Sequence, residues 1–170
     1  MCKAKHIADL FLESSLNDPD GMLTNQQIQR LLYLAQGWSL ARYGEPLFDD
    51  AIEAWSSGPV VPEAYQRLES LGDKEDAERV IGADYADHFS KQEAMLLIDV
   101  WNAYSATELD ELPLSAEMPW RQAYRTGVGT IIPVENMRTY FEGLPPLPTF
   151  ELPHFSGADF VGYRGQLPRP

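Results

Sequence analysis

Apolar residues recur every three or four positions through most of this chain, then give way to prolines and scattered aromatics near its end. Residues 5 to 16 set Ile7, Ala8, Phe11 and Ser15 on one stripe with Leu12 and Leu16 beside it, the spacing of an amphipathic helix. Asn17-Asp18-Pro19-Asp20-Gly21 stops that helix with turn residues. The next helix opens at Thr24, with Gln27 three residues on in a capping-box pattern. Ile28, Leu31, Leu32, Ala35, Trp38 and Ser39 form its expected buried stripe, and Gly44 sits where a left-handed cap would end it.

From Pro46 the period changes. Pro46-Leu47-Phe48 and Ile52 to Trp55 read as extended, a short hairpin or a pair of irregular arms, and Ser56-Ser57-Gly58-Pro59 reads as a turn. Pro62 suits the first position of a third helix, where its missing N–H would be unpaired anyway. That helix uses Tyr65, Leu68, Glu69 and Leu71 and closes at Gly72; residues 72 to 89 are charge-rich and read as a surface excursion. Ser90 and Glu93 form a second capping box ahead of Ala94, Leu97, Ile98, Trp101 and Tyr104. Thr107 caps a short turn through Leu112, Pro119-Trp120 restarts a helix to about Arg125, and Gly127-Val128-Gly129 breaks the chain. Pro133 opens a last helix bearing Val134, Met137, Tyr140 and Phe141 before Gly143.

The pattern predicts a mainly α fold: a single compact helical domain over residues 1–143, with an extended or hairpin segment around 46–56. Residues 144–170 form a Pro-rich irregular tail. Phe150, Phe155, Phe160, Val161 and Tyr163 are interleaved with the tail's prolines, and a purely solvated linker would lack such rings. The tail therefore either wraps back on its own domain or docks on a partner in extended form.

The net charge is −13 and the Lys and Arg are scattered rather than clustered into a phosphate-binding patch, so autonomous nucleic-acid binding is disfavoured. The same charge steers a basic partner toward the chain, although acidic residues also simply solvate helix faces. No stretch approaches the apolar length of a membrane span, and the N-terminus reaches acidic residues too soon for a signal peptide, so a cytoplasmic protein is expected. Cys2 is the only cysteine, which rules out an intrachain disulfide, and a thiol at a fraying terminus makes a poor nucleophile.

His6, Asp9 and Glu13 follow one another at about one helical turn, and Asp49, Asp50 and Glu53 cluster before an extended segment. Neither group comes with the further donors of a divalent site, and an exposed helix face or solvated turn explains both. His88 and His154 stand alone. No phosphate cradle, zinc-protease helix or nucleophile elbow occurs, so no catalytic residue, metal or cofactor is assigned. Of the four tryptophans, Trp38 and Trp101 fall on helical stripes and read as core. Trp55 and Trp120 each neighbour a proline turn, where a ring either packs or lines a groove.

Leu31, Leu32 and Tyr33 on a helix, then Gly44, Pro46 and Leu47, then Ala54, Trp55, Gly58, Pro59 and Val60, then Pro62 and Tyr65 form a dense pattern. This pattern resembles the Panacea domain, which recurs in phage-associated proteins and in antitoxins of toxin–antitoxin pairs. The resemblance extends to about Phe141 and omits residues 144–170. A Thr-His pair that family members carry before Pro-Trp is replaced here by Pro113-Leu114, ahead of Pro119-Trp120.

The resemblance implies a mainly helical antitoxin that neutralises a cognate toxin by direct contact, basic if it acts on RNA. It also implies an alternative, an adaptor that delivers its client to a cellular protease; a third reading, from the residues themselves, is an unrecognised hydrolase or transferase using His6, Asp9 or the Asp49–Glu53 cluster. Trp55, Gly58, Pro59, Val60, Tyr65, Trp120, Phe150 and Phe155 are the candidate partner-binding residues.

Overall fold

The Thr24 hydroxyl accepts from the Gln27 N–H at 3.2 Å, and Gln27 Oε1 accepts from the Thr24 N–H at 2.9 Å. This reciprocal cap starts the longest helix of the computed structural model, which describes residues 2–16, 18–19, 21–72, 89–112, 117–151 and 167. We number that helix α2 (Asn25–Tyr43); it ends at Gly44 in the left-handed region, φ 72°. Before it lies α1 (Ala4–Ser15). After it come β1 (Glu53–Trp55), β2 (Gly58–Val60), α3 (Pro62–Glu69), α4 (Lys91–Ala103), α5 (Ala106–Glu111), α6 (Pro119–Thr126), β3 (Thr130–Ile131) and α7 (Val134–Glu142). The fold is mainly α, with one small antiparallel sheet of order β2-β1-β3.

The expected single stripe on α2 is too narrow. Every residue from Gln27 to Leu40 is buried, because α1, α3, α4, α5, α7 and β2 pack around the helix on all sides. Five polar side chains, Gln27, Gln29, Arg30, Gln36 and Ser39, are therefore inside. Each meets backbone. Gln36 Oε1 accepts from the N–H groups of Leu47 and Phe48 at 2.8 and 3.2 Å, while its Nε2 donates to the Phe48 carbonyl at 2.9 Å. Gln29 Oε1 accepts from Val61 N–H at 2.9 Å, and Ser39 donates to the Glu45 carbonyl at 2.8 Å. The irregular chain on either side of the hairpin is thereby paired as a strand would be.

The hairpin itself lies later than expected. Glu53 faces Val60, Ala54 faces Pro59 and Trp55 faces Gly58, so Gly58 and Pro59 belong to a strand and only Ser56 and Ser57 turn. Pro59 is tolerated because β2 lies at a sheet edge, where a missing N–H removes no ladder bond. The cap of α5 is Ser105 rather than Thr107. Ser105 has extended backbone and a reciprocal bond pair with Glu108, whereas Thr107 already lies inside the first turn. Cys2, expected at a fraying end, is buried and forms a parallel bridge to Phe48. Of the charge-rich excursion, residues 73–88 lie outside the described residues.

The described part of the tail wraps onto the helices. Leu147 and Leu167 join the core. Arg42 pairs with the buried Asp99 at 2.6 Å and donates to the Leu147 carbonyl at 3.2 Å. Asp99 also accepts from Phe150 N–H at 3.0 Å. Burial opposes charge on Arg42, yet Asp99 and Tyr43 together outweigh it and hold the guanidinium above its ordinary value. At the other side of the body, the Leu167 N–H donates to Ser14 Oγ at 2.9 Å.

Two substitutions on α2 test this arrangement. Gly37→Ala improves helix propensity, but its Cβ would sit inside the Phe141 ring. The variant is expected to lose about 1–3 kcal/mol in urea unfolding, against the ~1 kcal/mol gain expected at an open helical glycine. Gln36→Leu strips the partners from Leu47 and Phe48 and is expected to cost at least about 2 kcal/mol in the same measurement.

Candidate functional site

Arg30 fixes the tip of the β1–β2 hairpin. Its Nη2 donates to the Ser57 carbonyl at 3.0 Å and its Nη1 to the Leu109 carbonyl at 2.7 Å. Burial pulls this guanidinium below its ordinary value, with nearby Asp110 acting the other way. Gln26 reaches the same Ser57 carbonyl at 2.7 Å. Across the hairpin, Trp120 Nε1 donates to the Trp55 carbonyl at 3.0 Å, which ties α6 to β1.

These bonds separate the candidate residues into two sets. Gly58, Pro59, Val60 and Trp120 are buried. Trp120 stacks on Tyr124 with centroids 5.5 Å apart, and Arg121 lies 4.9 Å from its ring centre. Trp55 and Tyr65 are half-buried, with rings 5.2 Å apart, and present aromatic surface to solvent. Trp55 Nε1 donates to Glu53 Oε2 at 2.8 Å, which places a carboxylate at the edge of the indole.

Phe150 is half-buried beside Asp99 and so belongs to the Arg42 end of α2. That end is about 18 Å along the helix from Arg30, by the rise per residue. Phe155 lies outside the described residues. Trp38 and Trp101 are core residues: Trp38 Nε1 donates to Tyr104 Oη at 2.7 Å, and Trp101 stacks on Phe11.

The register extends the Trp55 face further than the sequence indicated. Glu53 stands opposite Ile131, so Ile131 shares a sheet face with Glu53 and Trp55. Val128, Ile131 and Val134 are exposed large apolar residues. The Gly127-Val128-Gly129 break was legible, but the β-branched run after it carried no alternation that marked it as an exposed edge.

The groups nominated for chemistry are dispersed. Asp9 receives two bonds from Arg67, both 3.3 Å; burial pushes its carboxyl up, and Arg67 pulls it back. Burial, and secondarily Asp9, raises Glu13 as well. Asp50 accepts from the Ala4 N–H at 3.0 Å, so it caps α1 from a distance, while Glu53 serves Trp55. Among the described residues, no cluster of three or more His, Cys, Asp or Glu could hold a metal ion, and no helix is long and apolar enough to cross a membrane.

Residues 28–121 match the family described as Antitoxin SocA-like, Panacea domain. The chain is also similar to a curated relative, Antitoxin SocA of Caulobacter vibrioides (strain NA1000 / CB15N). The two are 36% identical over 83 residues, which make up 48% of this chain and 43% of the relative. The matched region thus spans less than half the length of that relative. No solved structure matches. The family match ends at Arg121, before β3 and α7, whose packing on β1 and α2 completes the described body.

The buried thiol offers a clean check on the N-terminal bridge. Burial, reinforced by Glu93, pushes Cys2 up to about 12. At pH 8 iodoacetamide should alkylate the native chain about a thousandfold more slowly than the urea-unfolded chain, from the thiolate fractions alone. Equal rates would mean that the bridge to Phe48 does not persist in solution.

Proposed function

This chain belongs to the SocA-like antitoxin family defined by the Panacea domain, and from that premise we propose that it neutralises a cognate toxin by direct protein–protein contact. The observation that carries this reading is the family match. It takes in α2, the hairpin with its Trp55–Tyr65 pair, α3, α4 and α5. The matched relative is itself named an antitoxin.

The chemistry fits a binding role. Of the carboxylates in the two sequence clusters, Asp9, Asp50 and Glu53 each hold a structural hydrogen bond, while Asp49 is exposed. The charge of −13 favours a basic partner, speeding and orienting the encounter. We place the chain in the cytoplasm and assign it no catalytic step and no nucleic-acid target of its own. Binding covers the toxin's active site or its target-binding face.

Co-expression with the product of each adjacent open reading frame tests the proposal, scored by growth and co-purification. One neighbour should be toxic alone, harmless with this chain, and elute with it. If no neighbour is toxic and nothing co-purifies, the antitoxin role is lost. Repeating the rescue in protease-deficient hosts separates occlusion, which survives there, from delivery of a client to a protease, which does not.

Truncation after Gly143 separates two roles for the tail. The shortened chain loses Leu147 and Leu167 from the core and leaves Asp99 with Arg42 alone. A loss of about 2–5 kcal/mol in denaturant unfolding is expected. Unchanged stability with lost neutralisation would instead make the tail a strap on the toxin.

A further inference from the structure

Among the described residues, three of the four exposed large apolar side chains fall in one short stretch: Val128, Ile131 and Val134 are 70, 59 and 41 % exposed. β3 occupies the outer position of the sheet, bonded to β1 on one side and to no described strand on the other. The Ile132 N–H donates to the Ile52 carbonyl at 2.8 Å, so Ile132 faces β1. In an antiparallel ladder adjacent residues alternate in direction, and the N–H and C=O of Ile131 therefore point outward from the edge. Gly129, at φ +81°, donates to the Ala54 carbonyl at 2.8 Å and fixes the approach to this edge. An apolar edge with open backbone groups is a template for another strand.

The face beside this edge has its own chemistry. Through the Glu53–Ile131 pairing, Ile131, Glu53 and Trp55 share one side of the sheet, and the Trp55 ring leans on Tyr65. Glu53 Oε2 sits 2.8 Å from Trp55 Nε1, so a carboxylate and an aromatic ring lie together. Arg30, the cation beneath the hairpin, is buried and bound to the Ser57 and Leu109 carbonyls. A guanidinium seated on the Trp55 ring would meet the ring face and the carboxylate at once.

We propose that this edge and face receive an extended, arginine-bearing segment of a basic partner protein, added as a strand beside β3 with an arginine on Trp55 and Glu53. The inference deepens the antitoxin proposal and rests on it for the biological identity of the partner. Charge complementarity selects this occupant. A second copy would bring a further net charge of −13 against the first, and a phosphate-bearing surface would meet the Glu53 carboxylate. Backbone pairing along the edge supplies affinity, while the aromatic and carboxylate contacts supply the preference for arginine.

The test uses the full chain and two short synthetic peptides of alternating Arg/Val and Glu/Val sequence. Amide exchange and tryptophan fluorescence are read at low and high salt. The Arg/Val peptide should protect the Ile131 amide from exchange, perturb Trp55 fluorescence in a manner lost in Trp55→Phe, and weaken with salt. Ile131→Lys, at a position already 59 % exposed, should leave the unfolding midpoint unchanged and weaken the peptide about tenfold. Glu53→Gln should weaken it less and flatten the salt dependence.

Equal binding of the Glu/Val peptide, protection that omits residues 128–134, or no binding of either peptide overturns the proposal. So does self-association that protects Ile131 and is abolished by Ile131→Lys, since that assigns the face to a second copy. Peptide binding without a toxic neighbour would leave this surface standing and the antitoxin role lost. A neutralised toxin whose binding survives Ile131→Lys would do the reverse.

Discussion

Backbone groups removed from water must find partners, and in this protein one helix supplies them for the least regular part of the chain. Gln36 binds both N–H groups of Leu47 and Phe48 and the Phe48 carbonyl; Gln29 binds Val61, Ser39 binds Glu45, and Arg30 binds Ser57 and Leu109. An unpaired buried group costs roughly 1–3 kcal/mol, so each of these side chains outweighs an ordinary apolar contact. The helix is thus a core element and a ladder partner together. Its polar residues allow the irregular chain on either side of the hairpin, at Glu45, Leu47, Phe48 and Val61, to run across its surface without strand partners.

That constraint explains why the Trp55 face can be presented to solvent without collapsing. Trp55 is held through its carbonyl by Trp120 and through its indole by Glu53, and the neighbouring Ser57 carbonyl is bound by Arg30 and Gln26. The ring has little conformational freedom left to lose. A preorganised aromatic pair gives up less entropy on binding than mobile side chains would, so more of its contact energy remains as affinity. At the far end of α2 the same logic applies to the tail, where Arg42 and Asp99 together hold Leu147 and Phe150.

What the sequence made legible was local. Thr24 with Gln27 and Ser90 with Glu93 gave helix starts because the capping partners lie within one turn. Pro62 and Pro119 marked helix entries for the same reason. The missed features depend on distant partners. Gln29, Arg30 and Gln36 lie outside the stripe expected from the sequence, because nothing within a helical turn reveals that residues 45–61 cross over them. Gly37 carried no local signal, since the ring that demands it is Phe141. The hairpin register was misplaced because Gly58 and Pro59 are turn formers locally, and only the edge position of β2 makes them a strand. The exposed β3 edge was missed because Gly127 and Gly129 marked a break and masked the strand that follows.

An exposed apolar edge is a hazard that most proteins remove, and this chain limits it in two ways. β3 is only two residues long, and copies carrying a charge of −13 repel one another. Under the proposed strand addition those same features would shape recognition. A short edge read through its backbone would impose few demands on a partner's side chains, while Trp55, Tyr65 and Glu53 would add a preference for positive charge. Since the residues that hold the scaffold lie on α2 and those that face solvent lie at Trp55 and in the 128–134 stretch, the two can change independently. The division leaves a helix that fixes the fold and a neighbouring edge whose exposed residues are free to vary.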